Sequence, residues 1–280
     1  MKKTVFTYVL LLIISCASHL SFAAPKANIL PQWQASNDAN DNQIDHGQWQ
    51  VLLEAYLIQD DSGINRIDYA SLKKNDSNAL NQYLDDLQDI DPRDYSKKQQ
   101  FAYWVNLYNA ATVSLIIENY PVKSITKIKD GLLSFGPWDR EWLEIGEELL
   151  SLNDIEHRIL RPIWKDNRIH YAVNCASLSC PNLSLQAFTA ENTDQLLDKL
   201  ATEYINHPRG VTVEKGKLIV SSIYHWYAED FNTQESNLMS HLSRYAKPEL
   251  KAKLQSLKKD SYDHDYDWRL NDSNLKLAQR

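Results

Sequence analysis

The stretch RIHYAVNCASLSCPNL, residues 168–183, decides how the rest of the chain is interpreted. Residues 169–173 are mostly apolar, β-branched or aromatic, which predicts a buried strand. The small residues that follow, bounded by Cys175 and Cys180, predict a turn. The sequence therefore places a thiol where a strand passes into a loop, a position from which a side chain can react.

A second stretch, SLNDIEHRILRPIW at 151–164, predicts a helix that carries Glu156, His157 and Arg161. A cysteine is nucleophilic only as its thiolate, which an imidazolium or a helix N-terminus stabilises. His157 is the best candidate base, and Arg161 follows one turn later on the same face. Glu156 points roughly 100° away from His157 in an α-helix, which argues against a direct contact. The carboxylate is then available to Arg161 or to a loop amide.

The spacing of the two cysteines leaves their roles open. Cys180 precedes Pro181 and can occupy an N-cap position, whereas Cys175 is held by the predicted strand. His170 lies at odd spacing from Cys175, so strand parity places their side chains on opposite faces. In an oxidising compartment the pair also fits a small disulfide or an attacking and a resolving thiol. Thiol catalysis, a structural disulfide and redox exchange therefore remain as alternatives.

The first residues are typical of a secretory signal peptide. Lys2 and Lys3 precede an apolar run, and a small-x-small cleavage site ends at Ala23. We therefore expect residues 1–23 to be removed and the protein to be periplasmic or secreted. A poorer lipoprotein-like box that ends at Cys16 is the alternative. The apolar run is shorter than the roughly 20 residues that span a bilayer, so no transmembrane span is expected in the mature chain.

The composition restricts the class of partner. The chain has 30 Lys and Arg against 37 Asp and Glu, and loss of Lys2 and Lys3 with the leader changes its charge from −7 to −9. Binding to phosphates requires clustered basic residues, so no nucleic-acid partner is expected. No phosphate loop, dinucleotide fingerprint or tight Cys/His ligand spacing is present, which predicts no cofactor and no metal. The 8 Trp and 15 Tyr favour an aromatic-lined cleft for an unknown small-molecule or peptide substrate.

The order of helix and strand signals predicts the fold class α+β, a helix-rich single domain around a small antiparallel sheet. Residues 24–45 are polar and predict a flexible leader, so the domain is placed at 46–280. Residues 96–120 are apolar nearly all round, which predicts a long helix buried at the centre. Residues 211–223 alternate on both sides of a Lys-Gly pair, which predicts a hairpin.

Several side chains are predicted to support the site rather than to react. Asn106 and Asn109 lie on the buried helix and need hydrogen-bond partners, either the cysteine loop or any other buried polar groups. Trp226, Tyr227 and Asp230 are predicted to line the cleft. The other supporting residues lie on the cysteine loop and on the upstream helix: Asn174, Ser179, Cys180 and Arg161.

Five stretches make the chain resemble the domain of unknown function 547 family: FAYWVNLYNA (101–110), SLNDIEHRILR (151–161), IHYAVNCASLSCP (169–181), SSIYHWYAEDF (221–231) and YDWRLN (266–271). They cover most of residues 96–271, the family-like core. The resemblance implies Cys175 as nucleophile, His157 as base and Glu156 as an orienting acid. Ala176 stands where many relatives have glycine, which questions how freely the loop turns. By analogy, the layout is also similar to papain and transglutaminase-like thiol enzymes with the helix and strand order rearranged.

The sequence thus predicts a secreted thiol hydrolase or acyl transferase that acts on an amide or thioester bond. Cys175 would attack the carbonyl, His157 would transfer the proton, and loop amides at 177–180 would stabilise the oxyanion. The alternatives are a non-catalytic periplasmic binding module with a structural Cys175–Cys180 disulfide, and a dithiol redox protein.

Overall fold

The computed structural model describes residues 25–129, 131, 135–233, 237–257 and 261–275. The predicted signal peptide at 1–23 and the alternative lipid site at Cys16 lie outside these residues. In the described part of the chain, we find no helix with the length and apolar content that crossing a membrane requires.

Helices form nearly half of the described chain, and the strands between them are short. The α-helices are α1 (Gly47–Tyr56), α2 (Tyr69–Asn75), α3 (Ser77–Gln88), α4 (Lys97–Asn119), α5 (Arg161–Trp164), α6 (Ile169–Ala172), α7 (Thr193–Ile205), α8 (Ile223–Trp226), α9 (Ala228–Phe231), α10 (Leu238–Tyr245) and α11 (Pro248–Gln255). The strands are β1 (Leu57–Gln59), β2 (Asn65–Ile67), β3 (Leu143–Ile145), β4 (Glu148–Leu150), β5 (Val211–Glu214), β6 (Lys217–Ser221) and β7 (Tyr262–Asp265). A π-helix, Asp154–Leu160, continues directly into α5.

The strands pair into three small sheets within the described residues. β1–β2 and β3–β4 are antiparallel pairs, and the third sheet has the order β5-β6-β7. In that sheet β5 and β6 are antiparallel, whereas β7 joins β6 in parallel. The helix-rich α+β prediction is confirmed, although three sheets replace the single antiparallel sheet that we expected. The predicted hairpin is confirmed too, because Lys215 and Gly216 both have the positive φ, 51° and 75°, of a type I′ turn.

Helix α4 lies at the centre of the core, as its sequence predicts. All its side chains from Gln99 to Ile117 are buried. Ser96 caps its first turn by accepting a hydrogen bond from the Gln99 N–H at 3.4 Å. Trp104 is fully buried and packs edge-on against Trp33, with ring centroids 5.2 Å apart. The central helix therefore supplies the rigid element from which the site is built.

Residues 25–45 lie against the body of the protein, whereas their polar composition predicted a flexible leader. Trp33 is only 1% exposed and packs in the core. The Leu30 N–H donates to the Arg158 carbonyl at 2.9 Å, and Asp38 accepts from the Lys97 N–H at 2.9 Å. One large aromatic side chain thus anchors a segment whose average composition is polar.

The strand predicted at residues 169–173 is wrong, because residues 169–172 form the short helix α6. The Tyr171 N–H donates to the Arg168 carbonyl at 2.9 Å, and the Val173 N–H donates to the Ile169 carbonyl at 3.2 Å. All side chains from Ile169 to Ala172 are buried. A short apolar run that is buried on every side has no periodicity that separates a strand from a helical turn. The parity argument that set His170 aside therefore loses its basis.

Candidate active site

Asn109 on α4 holds the segment that leads into Cys175. Its side-chain N–H donates to the Ala172 carbonyl at 2.9 Å, and its oxygen accepts from the Asn174 N–H at 2.8 Å. This confirms that one buried amide braces the cysteine loop. Asn106 instead bonds to both backbone groups of Phe188, at 2.8 and 3.0 Å, and so holds the chain beyond the loop.

The C-terminal segment holds the other side of the cysteine loop. The Leu178 N–H donates to the Arg269 carbonyl at 2.8 Å, and the Ser179 N–H donates to the Asp267 carbonyl at 3.2 Å. The hydroxyl of Ser179 accepts from the Asp267 N–H at 2.8 Å. The Cys180 N–H bonds within the loop, to a carbonyl 3.1 Å away. These three amides therefore already donate hydrogen bonds to carbonyl groups. An oxyanion site made from them would first require those hydrogen bonds to break.

Asn174 closes the loop on itself. Its side-chain N–H donates to the Pro181 carbonyl at 2.7 Å, and its oxygen accepts from the Ala176 N–H at 2.8 Å. Residues from Pro181 onward are irregular, so no helix begins there. The predicted N-cap position for Cys180 is therefore wrong, because irregular chain rather than a helix follows the proline.

The two sulfurs lie side by side. Cys175 Sγ is 3.0 Å from Cys180 Sγ, and both cysteines are free. The Cys175 N–H also donates to Cys180 Sγ at 3.0 Å. Cys180 is only 3% exposed, whereas Cys175 is partly exposed. A covalent bond is about 2.05 Å long, so a movement of about 1 Å would join the two sulfurs.

Two hydroxyl groups surround Cys175 on its other side. The Tyr266 hydroxyl lies 3.0 Å from Cys175 Sγ and the Ser177 hydroxyl lies 3.4 Å from it. The two hydroxyl oxygens are 2.9 Å apart, so Ser177 can donate to Tyr266 while Tyr266 donates to the sulfur. The sequence analysis gave neither side chain a role. Tyr266 lies 91 positions from Cys175, and its motif, residues 266–271, was given no chemical function.

These contacts separate the two thiols chemically. Burial raises the pKa of Cys175, but hydrogen bonds from Cys180, Ser177 and Tyr266 outweigh it, so that the pKa falls below its ordinary value. Burial also raises the pKa of Cys180, and its contact with Cys175 adds to the increase. Cys175 is therefore the thiol that loses its proton more readily, and Cys180 is the one that keeps it.

A buried ionic cluster forms around Glu156 on the π-helix. Glu156 Oε2 accepts from the Tyr108 hydroxyl at 3.0 Å, and Oε1 lies 3.9 Å from His157 Nδ1 and 3.7 Å from His170 Nδ1. Burial raises the pKa of Glu156, yet the neighbouring imidazoles and Arg161 lower it overall. The expectation that Glu156 and His157 do not meet is wrong, because the wider turn of a π-helix brings neighbouring side chains closer together.

Arg161 fixes the state of His157. Its Nη1 lies 3.2 Å from His157 Nδ1, and because a guanidinium only donates, that nitrogen accepts and the ring proton lies on Nε2. Burial lowers the pKa of His157, and the neighbouring Arg161 and His170 lower it further. The Glu156 carboxylate raises it, but the net shift is downward. No hydrogen bond joins His157 to either sulfur in the described structure. His157 is thus held as a neutral hydrogen-bond donor, apart from the thiols.

His170 belongs to the same cluster, which the sequence reasoning missed. Its Nε2 lies 2.7 Å from Asp230 Oδ2, and its ring stacks on Tyr227 with centroids 4.0 Å apart. Burial raises the pKa of Asp230, but His170 and Arg161 hold it well below its usual range. Tyr227 and Asp230 therefore lie in the ionic cluster, although they were predicted as cleft walls.

An open cleft of about 700 Å³ lies beside the thiols. It is lined by Lys123, Ser124, Thr126, Lys127, Asp265, Tyr266, Asp267, Trp268 and Arg269. Tyr266 belongs both to the cleft and to the surroundings of Cys175. Trp226 packs against Tyr266 and Trp268, at 4.7 and 5.5 Å between centroids. Among the described residues, no group of three or more His, Cys, Asp or Glu side chains is arranged to hold a metal ion.

Ala176 adopts the left-handed conformation, with φ of 56°. That conformation costs about 1–2 kcal/mol for a residue with a side chain. We expect Ala176→Gly to leave the free energy of unfolding within about 0.5 kcal/mol of wild type, because relief of this cost offsets the lost methyl burial and the added chain entropy.

The matched control is Ala172→Gly, since Ala172 is equally buried but helical. Urea denaturation should show that this control loses about 1–2 kcal/mol. Equal losses in the two variants would show that the loop carries no strain at Ala176.

The fold and site define a helix-rich α+β protein with a braced loop that presents two adjacent free thiols. Residues 92–205 match the family model described as "Protein of unknown function, DUF547". This range includes α4, both thiols and the part of the ionic cluster that precedes α7, but not Tyr227 or Asp230. Residues 92–205 therefore carry the domain that this family model describes. No curated protein and no solved structure matches the chain. The papain-like arrangement remains an analogy.

Proposed function

We propose that this protein catalyses thiol–disulfide exchange, with Cys175 as the attacking thiol and Cys180 as the resolving thiol. The observation that carries the proposal is the 3.0 Å separation of the two sulfurs in unequal surroundings. The partly exposed thiol is the one whose pKa is lowered, and the buried thiol is the one whose pKa is raised. An attacking thiol has to be accessible and ionised, whereas a resolving thiol acts only after the first step.

The reaction has two steps that balance. The Cys175 thiolate attacks one sulfur of a substrate disulfide, and the other substrate sulfur leaves as a thiolate that takes up a proton. Cys180 then loses its proton and attacks Cys175 Sγ, which expels the second substrate thiolate. Two electrons pass to the substrate, which becomes two thiols, while Cys175 and Cys180 become a disulfide. An external dithiol reduces this disulfide again.

The surroundings of Cys180 support the second step. The Cys175 N–H points at Cys180 Sγ, and the partly buried Arg209 guanidinium donates to the Leu178 carbonyl of the same loop at 2.8 Å. Once Cys175 is bound in a mixed disulfide, it no longer carries the charge that raises the pKa of Cys180. The amide and the nearby cation then stabilise the Cys180 thiolate.

The thiol hydrolase or acyl transferase predicted from the sequence is the second candidate. The partly exposed Cys175, its two hydroxyl neighbours and the adjoining cleft favour it. The committed loop amides and the Arg161-bound Nδ1 of His157 count against it, because the reaction needs an oxyanion site and a base. The predicted binding module with a structural disulfide remains as a third outcome. A periplasmic or secreted location is part of the proposal, and it rests on the sequence of residues 1–23.

Cys180→Ser distinguishes the candidates. We expect this variant to form a mixed disulfide with a small disulfide such as hydroxyethyl disulfide but to complete no net reduction, because the resolving sulfur is missing. Mass spectrometry of the trapped adduct and a continuous thiol assay measure the two steps. Cys175→Ser is the matched control and should form no adduct at Cys180.

The same variants test the second candidate with an aryl thioester as substrate. Thioester hydrolysis that persists in Cys180→Ser and is lost in Cys175→Ser would favour acyl transfer over exchange. An unreactive pair in the wild-type protein, before and after treatment with reductant, would leave only the binding module.

A further inference from the structure

We infer that the cleft beside Tyr266 binds the disulfide-bearing segment of a polypeptide, specifically one with an aromatic or large aliphatic side chain next to an acidic residue. The inference rests on the proposed exchange reaction and names its substrate class. It is carried by three features of the cleft: aromatic rings, unpaired cations and a direct connection to Cys175.

The first feature is a continuous set of partly exposed rings. Tyr266 and Trp268 line the cleft, with centroids 4.6 Å apart. Trp226 packs on both, and Trp138 packs on Trp268 at 5.7 Å. Trp138, Trp226, Tyr266 and Trp268 are only partly buried against the core. Rings that remain partly exposed offer apolar area at a small entropic cost, which suits an apolar side chain.

The second feature is the charge at the rim. Lys123 and Lys127 line the cleft and are exposed, and neither forms a salt bridge within the described residues. The nearby Arg269, in contrast, is bound to Asp267 through two nitrogens. Asp265 also lines the cleft and forms no salt bridge within the described residues, so the charges left over are two cations and one carboxylate. In a chain with a net charge of −7, this positive balance beside an aromatic surface favours an anionic group on the ligand.

The third feature is the position of the thiol. The ring of Tyr266 forms part of the cleft, and its hydroxyl lies 3.0 Å from Cys175 Sγ. A segment seated on the rings therefore places a neighbouring cysteine within reach of the attacking sulfur. Polypeptides carry both the disulfide that the thiol attacks and the side chains that the cleft accommodates. This combination favours a peptide over an acidic oligosaccharide, which would fit the rings and cations but offers nothing to the thiols.

The test compares two substrates of the wild-type protein and of variants at the rim. One substrate is hydroxyethyl disulfide, and the other is a peptide disulfide with the sequence Phe-Glu beside its cysteine. We expect Lys123→Glu with Lys127→Glu to lower the ratio of kcat/KM for the peptide to that for the small disulfide at least about 10-fold. A peptide with Lys in place of Glu should recover most of that ratio in the variant. Lys129→Glu, an exposed neighbour that does not line the cleft, is the matched control and should keep the wild-type ratio.

Binding is measured separately from exchange, by tryptophan fluorescence of Cys175→Ser protein titrated with the reduced peptide. Saturable binding that the rim substitutions weaken supports the subsite. If the wild-type protein nevertheless exchanges neither disulfide, only the proposed reaction is overturned. Exchange of both disulfides with a ratio unaffected at the rim would overturn the subsite and leave the reaction standing. Tighter binding of an oligogalacturonate than of the peptide would also overturn it.

Discussion

Replacing Arg161 by methionine should lower the free energy of unfolding at pH 7 by about 3–5 kcal/mol, the cost of breaking a buried ion pair from one side. The guanidinium side chain is only 2% exposed and donates to Asp230 at 2.6 Å, to Glu229 at 2.8 Å and to the Pro25 carbonyl at 2.8 Å. Methionine fills much of the volume but leaves the buried carboxylate of Glu156 with fewer compensating charges. Chemical denaturation followed by circular dichroism measures the loss.

Arg158→Met is the matched control for this prediction. Arg158 lies on the same π-helix and pairs with Asp154 at 2.9 Å, but its side chain is 46% exposed. Exposed pairs contribute about 0–1 kcal/mol, so this variant should remain close to wild type. A loss in Arg161→Met no larger than that in Arg158→Met would show that the ionic cluster is compensated without the guanidinium.

The sequence predicted an element correctly where a local pattern of residues reflects the tertiary environment directly. Helix α4 is apolar on all sides because every side is buried, so its pattern predicted both its type and its place. The hairpin between β5 and β6 follows from alternation around two residues that accept positive φ. The need of Asn109 for a partner also followed, since a buried amide has to be satisfied.

The site depends on contacts that no local pattern contains. Tyr266 reaches Cys175 across 91 positions of the chain, and Asp230 reaches His170 across 60. Residues 169–172 form a four-residue helix, which is too short to show a period, so they were predicted as a strand. Strand parity then excluded His170 from the site. The direction of the Glu156 side chain was also predicted wrongly, because the rotation per residue was taken from an α-helix and this segment is a π-helix. Errors in local geometry therefore carried over into the roles predicted for His170 and Glu156. The prediction of Cys175 as nucleophile did not depend on that geometry, because it came from the family resemblance.

Acid should destabilise the protein as the pH falls from 6.5 to about 4, by about 3 kcal/mol for each of two buried imidazoles. Burial lowers the pKa of His46 and of His241 to about 4, against about 6.5 in an unfolded chain. His46 Nδ1 lies 2.7 Å from the Tyr83 hydroxyl, and His241 Nε2 lies 2.8 Å from the Tyr171 hydroxyl. Above pH 6.5 both imidazoles are neutral in the folded and in the unfolded chain, so they do not change the free energy of unfolding. Between pH 6.5 and about 4 only the unfolded chain binds the protons, so the free energy of unfolding falls.

His241→Gln identifies the source of that loss. Glutamine keeps an acceptor for the hydroxyl of Tyr171 but binds no proton, so the difference in stability between pH 7 and pH 4 should shrink by about 3 kcal/mol. Below pH 4 a second loss is expected, because the pKa values of Glu156 and Asp230 are lowered in the fold and the unfolded carboxylates take up protons first. A wild-type stability that stays flat from pH 7 to pH 4.5 would mean that both imidazoles take up protons while still buried. The fold would then tolerate charge at positions where burial argues against it.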